Sequence, residues 1–240
     1  MISFPFSAFV YIFSGTICFV YSLHYLRVWK TTKNEYSKMF WFLGIWVGAG
    51  LYLNGVPHLF YPSASDIKGY FWLLGSIALF IGFYNPIHVA LMAWGKPNLS
   101  TLANTVIPVI ILCLTLFTIT NIPTPFTDSY GIIHWNLSYP LNAFWFAAGV
   151  LFTMIPAIFL FRAKSKSRKS NIKKTLFSIA FVLGGLGGWG NIMTRDTTLL
   201  AISFTIMFFG FLTLAAMSAI DIFMKEENNE TAQKQEFTKV

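Results

Sequence analysis

The sequence predicts an all-α integral membrane bundle of seven transmembrane helices, and three observations predict it. First, the 240 residues are 55% hydrophobic and only 11% charged, against about 25% charged in an ordinary soluble domain; the mean hydropathy is +0.61. Second, apolar runs recur seven times at close to the roughly 20 residues a helix needs to cross about 30 Å of hydrocarbon. Third, lysine and arginine gather in alternate connections between those runs. One soluble core of this size could not hide so much apolar surface. The runs are also continuous and too long for the alternating strands of a barrel. This composition excludes a disordered chain, a disulfide-stapled secreted domain and a free nucleic-acid-binding module.

The runs cover approximately 4–26, 39–61, 70–94, 102–121, 141–162, 175–193 and 198–223. The first has no positive n-region and is too long for an h-region, so it is expected to stay as a helix. Seven passes put the two chain ends on opposite sides, and cationic residues choose which. The odd connections hold Arg27, Lys30, Lys33 and Lys38, then Lys96, then Arg162, Lys164, Lys166, Arg168, Lys169, Lys173 and Lys174. The even ones hold Lys68 and Arg195. The N-terminus is therefore expected outside and the C-terminus in the cytoplasm of a multi-pass cell-membrane protein. Residues 1–224 form the seven-helix domain, and 225–240 a short polar tail that frays beyond it. Cytoplasmic topology accounts for the basic stretch RAKSKSRKSNIKK without nucleic acid. The lipid bilayer and its anionic headgroups are the expected partners.

Small residues allow close helix contact in a membrane. Gly44 and Gly48 have GxxxG spacing, and GGLGGWG places Gly184, Gly185, Gly187, Gly188 and Gly190 in one run. That run reads either as tight packing or as a hinge that deforms when a ligand binds. Pro86, Pro108 and Pro156 fall inside runs and each removes a backbone donor. Cys18 and Cys113, both inside runs, are expected to be buried packing residues with no disulfide framework. Trp29, Trp41, Trp94, Trp135, Tyr61 and Tyr70 lie near run ends and fit an interfacial aromatic belt.

No run carries a central charge, which disfavours proton pumps, ion-coupled carriers, voltage sensors and a retinal Schiff base. His24, His58, His88 and His134 sit near run ends, where each is expected to reach water or a headgroup. The histidine spacing of a haem or metal site is missing, so no cofactor or metal is expected. No GxSxG, paired carboxylate or phosphate loop appears, and no enzyme is expected. Arg195 and Asp196 should cap the last turn. Asp221, badly placed for the helix dipole, should find a lysine or water. The outer half gathers Asn54, His58, Asn142, Trp145, Trp189 and Asn191, an aromatic set with a few amides that suits a small amphipathic ligand. The rival reading of these residues is hydrogen bonding between helices.

Three stretches carry a resemblance: YGIIHWNLSYPLNAFWFAAG, then FRAKSKSRKSNIKK, then LGGLGGWGNIMTRDTTLLAISFTIMFFGFL. In that order they resemble the second half of the seven-transmembrane N-terminal sensor region of prokaryotic histidine kinases. GYFWLLGSIALFIGFYNPIHVALM is similar to its third helix. The resemblance implies detection of an extracellular or membrane-dissolved signal, passed out through the last helix. The sequence has no kinase domain after that helix, so output is expected to pass to a separate cytoplasmic signalling protein. A stand-alone sensor is the expected function. A transporter of a small neutral solute and an accessory subunit of a larger membrane complex remain as alternatives.

Overall fold

The structure, a computed structural model, describes residues 5–61, 63–93, 97–162 and 168–237, with the side chains of 35, 36, 89, 92, 93, 97, 168–170 and 218–237 left aside. It is helical apart from one small hairpin. The elements in order are α1 (Phe6–Thr32), α2 (Glu35–Gly55), the single turn α3 (Pro57–Phe60), α4 (Ser65–Ala93) and α5 (Pro97–Ile119). Strands β1 (Phe126–Thr127) and β2 (Ile133–His134) follow, then α6 (Leu141–Arg162), α7 (Arg168–Gly190) and α8 (Thr197–Phe237). Among the described residues, six helical segments are long and apolar enough to cross a membrane: α1, α2 with α3, α4, α5, α6 and α8. That is the make-up of a multi-pass membrane protein. The seventh long helix, α7, opens on Arg168–Lys174 and carries five glycines, which hold its apolarity below the other six.

Local chemistry sets the ends. Lys33 takes a left-handed conformation (φ 54°) and returns its N–H to Trp29 O, closing α1. Pro57 opens α3 just after α2 stops, at a position where its missing N–H costs nothing. Asp196 Oδ1 accepts the Leu199 N–H at 2.9 Å and caps α8, as expected of that residue. The polar tail continues α8 as helix to Phe237, where fraying was expected; its Glu, Lys and Gln residues are good helix formers extending an existing helix.

Between helices in lipid, close contact and hydrogen bonds replace the usual removal of apolar surface from water. Glycines supply the contact. A Cβ on Gly44 would lie 2.9 Å from Cys18 O, and one on Gly48 3.2 Å from Gly15 O, so α1 and α2 meet backbone to backbone. Gly50 and Gly75 do the same for α2 and α4, and Gly210 against Gly184 for α8 and α7. Helix α5 sits at the edge, against α4 and part of α6, and turns Leu102, Val109, Leu112, Leu116 and Phe117 outward. Cys113 is exposed on that helix while Cys18 is buried; the expectation that both are buried fails because α5 has neighbours on one side only.

The segment between α5 and α6 is a lid. β1 and β2 pair antiparallel, with Phe126 opposite His134 and Thr127 opposite Ile133. Three contacts tie it down. Ser7 donates its N–H to Gly131 O and accepts the Ile133 N–H at its hydroxyl (3.0 Å). Thr197 Oγ1 donates to Asp128 Oδ2 (3.1 Å). The Thr127 hydroxyl lies 3.2 Å from His58 Nδ1. The lid thus joins the start of α1, the start of α8 and the turn α3.

Folding of this lid corrects three expectations. Trp135, assigned to an interfacial belt, is 2% exposed, and His58 and His134, expected to reach water, are buried. Lys68, counted as a loop residue, lies in the first turns of α4 and is buried. In each case the lid or its neighbours cover a run end that a bare bundle would leave open.

Candidate functional site

An internal cavity lies between α1, α2, α4, α6, α7 and α8. Counting its open rim, about 880 Å³ of space there is not filled by atoms. Its wall is almost wholly apolar and carries no charged side chain among the described residues. Below the lid, the Tyr11 hydroxyl, Asn54 and Asn191 give it a polar end; Ser76, Thr153 and Tyr21 also line it.

Tyr11, Asn54 and Asn191 come together from separate helices for local reasons. Tyr11 lies two turns into α1, where Gly55 packs on its Cβ and brings the end of α2 alongside. Asn54, one residue earlier, faces Gly75, and a Cβ at Gly75 would occupy the place of the Asn54 Oδ1 atom. Asn191 follows the last turn of α7. Its Nδ2 donates to the Tyr11 hydroxyl at 2.8 Å, and Trp135 Nε1 donates to the same oxygen at 3.2 Å. The Tyr11 oxygen therefore accepts twice, and its own proton meets no acceptor among the described residues.

Both amides are nearly buried, Asn54 at 4% and Asn191 at 1% exposure. The Oδ1 atom of each has no hydrogen-bond partner among the described residues. A buried acceptor left unmade costs about 1–3 kcal/mol, and more than nine in ten buried polar groups avoid that cost. Both atoms belong to residues that line one cavity.

Aromatic rings fix the surroundings. Trp72 lies edge-on to Trp145 (5.2 Å between centroids), and Phe80 stacks between Trp145 and Trp189 (5.3 and 5.2 Å). Trp145 Nε1 donates to Thr118 Oγ1 at 2.9 Å, which satisfies it. Gly149 of α6 leaves the room that the Trp189 ring occupies; any Cβ there would drive into the indole.

Of the six residues expected to form a ligand site, Asn54, Trp189 and Asn191 line this cavity. Trp145 stands behind the wall in the aromatic stack. Asn142 accepts the Ala143 N–H at the start of α6 (2.7 Å), a local contact away from the cavity. His58 sits beneath the lid against the Trp135 ring (5.5 Å between centroids), with a buried Nε2 that has no partner. Tyr11, Trp72 and Thr153 also belong to the wall and were missed. A period-of-two alternation, Ile133, Trp135, Leu137 against His134, Asn136, Ser138, was present in the sequence and could have flagged the buried lid.

The glycines of α7 divide by direction. Gly185 meets Thr153 of α6, and Gly187 meets the backbone at Met207 of α8. Gly184 and Gly188 face the cavity, where an added Cβ would meet nothing nearer than 3.8 and 3.5 Å. Gly190 lies 3.2 Å from Ser203 Oγ on the same measure. Within the basic connection, Arg162 ends α6 and Arg168, Lys169, Lys173 and Lys174 belong to α7. Lys164, Lys166, Trp94 and Lys96 lie outside the described residues, as does the Asp221 side chain.

At the lid, His134 Nε2 and Asp128 Oδ2 are 3.0 Å apart. Burial pushes the Asp128 carboxyl up, but hydrogen bonds from His134, the Ile132 amide, Thr197 and the Tyr130 amide outweigh it and hold it below the usual range. No group of three or more metal-ligating side chains occurs among the described residues. Comparison of the chain with protein-family models, with curated proteins and with solved structures gives no match.

Proposed function

We propose that the chain is a seven-pass membrane sensor that takes a small apolar ligand into the cavity and passes the change to a separate cytoplasmic protein. The observation that carries this reading is the cavity with two buried amide oxygens that have no partner among the described residues, walled on one side by a glycine-rich helix. Helix α7 is the seventh span: its 23 residues reach about 34 Å, and Lys173 and Lys174 can extend their heads to the interface. The lid end is outside and the basic end cytoplasmic, by the cationic bias of the connections. The pattern shared with histidine-kinase sensor regions supports the same direction of signal. A ligand drives such a switch only by binding one helix arrangement more tightly than the other, by a few kcal/mol.

Spin labels at Lys33 and Lys174, on the cytoplasmic ends of α1 and α7, test it. Gly188→Leu fills the cavity from its own wall. It should shift the distance distribution between the labels in lipid nanodiscs, and 1-decanol added to the unsubstituted protein should shift it the same way. Distances unmoved by both would remove the sensor reading.

A further inference from the structure

We infer that the cavity selects a neutral, predominantly apolar molecule bearing a single hydroxyl group, held with that hydroxyl among Tyr11, Asn54 and Asn191. The inference deepens the sensor reading and rests on it only for the consequence of binding, not for binding itself.

The wall decides the class by elimination. With no carboxylate facing the cavity, an ammonium group would sit unpaired in a low-dielectric interior, which is prohibitive. With no lysine, arginine or histidine on the wall, a carboxylate or phosphate is excluded on the same ground, and the two Asn Oδ1 atoms would repel it further. A plain hydrocarbon fits the apolar part and leaves both orphaned acceptors as they were. An ether or ketone can accept from Tyr11 but has nothing to give the amides. The group required must both donate and accept. A hydroxyl does, giving its proton to one Asn oxygen and accepting the Tyr11 proton. The result survives a turn of the Asn191 amide, which exchanges its oxygen and nitrogen. Tyr11 would then donate to Asn191 Oδ1, the Asn191 NH₂ would be left free, and a hydroxyl could accept from it.

The remainder of the ligand lies away from the lid. The wall there is built mainly of Leu43, Val47, Phe177, Phe181 and Leu214, with Cys18 and the ring of Tyr21 among them. The polar end is at the lid and the apolar end at mid-bundle, so a chain or ring of hydrocarbon enters tail-inward. Gly44, Gly184, Gly188 and Gly210 leave backbone bare along the wall.

The test compares 1-decanol, its methyl ether, decane and decanoic acid at equal mole fraction in the lipid of nanodiscs holding the full chain. Binding is read by quenching of indole fluorescence, since Trp72 and Trp189 line the cavity. Decanol should bind about 3- to 10-fold more tightly than the ether, the worth of one neutral hydrogen bond, and decanoate should not bind. In Asn191→Leu and Asn54→Leu the preference for alcohol over ether should fall to about unity while decane binds as before. Equal affinity for alcohol and ether in the unsubstituted protein overturns the inference without recourse to any variant. So does a preference that persists in both Asn variants. So does an absence of binding by all four probes, which would leave the amides to water. Selective binding of decanol with unmoved spin labels would sink the sensor reading alone; moved labels with no alcohol preference would sink this one alone.

Discussion

Trp135 illustrates how one side chain can bear on two problems. Its ring packs against Tyr11, Trp72 and His58, and its N–H supplies one of the two hydrogen bonds at the Tyr11 oxygen. Trp135→Phe keeps most of the packing and removes the donor. It should lower stability by about 1 kcal/mol and loosen the lid, seen as a lower melting temperature and faster amide exchange over 126–137. Gly149→Ala is the harsher change. The Trp189 ring must move off its stack with Phe80, at a cost of about 1–3 kcal/mol, and the cavity wall is deformed; thermal melts and decanol binding should both suffer. Asp128 supplies a pH dependence. Its carboxyl is held below the ordinary value of 3.8, so the folded state favours the charged form. That contribution is complete above the ordinary carboxylate range and is lost as pH falls through it and below. Between pH 6 and pH 3 the unsubstituted protein should lose more melting temperature than Asp128→Asn does. At this scale the sequence was a partial guide. Asn54, Trp189 and Asn191 were legible because amides and indoles in a membrane run are costly and must be explained. Tyr11 was not, since a tyrosine near the start of an apolar run is read as interfacial by default.

Helix α7 was anticipated as either packed or deformable, and its glycines divide that role by face. Gly185 and Gly187 point at close neighbours, whereas Gly184 and Gly188 face the cavity with room for a Cβ in ordinary contact. Gly187→Leu should therefore misassemble the bundle, because its neighbour is the unyielding backbone at Met207 of α8. Gly188→Leu should fold normally and occupy the cavity. Heating in detergent separates the two: a large drop for the first, little or none for the second. The existence of the long helices was legible from hydrophobic runs, but their ends were not. Charged residues such as Arg27, Lys30 and Lys68 fall inside helices. Helical geometry persists past the apolar segment wherever long side chains can reach the interface. Strand β1, two residues long, carried too little pattern to announce its pairing with β2.

The molecule as a whole has one basic end and one end closed by the lid. Impermeant maleimide checks the proposed topology in intact cells, with single cysteines introduced in a chain lacking Cys18 and Cys113. Tyr139→Cys, at a position 82% exposed beside the lid, should label from outside. Lys33→Cys should label only after the membrane is opened. Labelling of both from one side would remove the orientation and with it the assignment of lid and output surface. The overall class was legible from composition because a bilayer imposes length and apolarity on every span. The cavity was not, since an unfilled space is a property of how helices meet and no single run encodes it.

The clasp of the lid onto Ser7 and Thr197 has a consequence for biosynthesis. Helix α1 cannot complete its lid contacts until a stretch made more than a hundred residues later arrives, and that stretch in turn waits for α8. Nascent chains halted before residue 126 should present an unanchored α1 to the quality-control proteases of the membrane. Halting beyond residue 197 should restore resistance abruptly, and progressive protection with each added span would argue against the clasp.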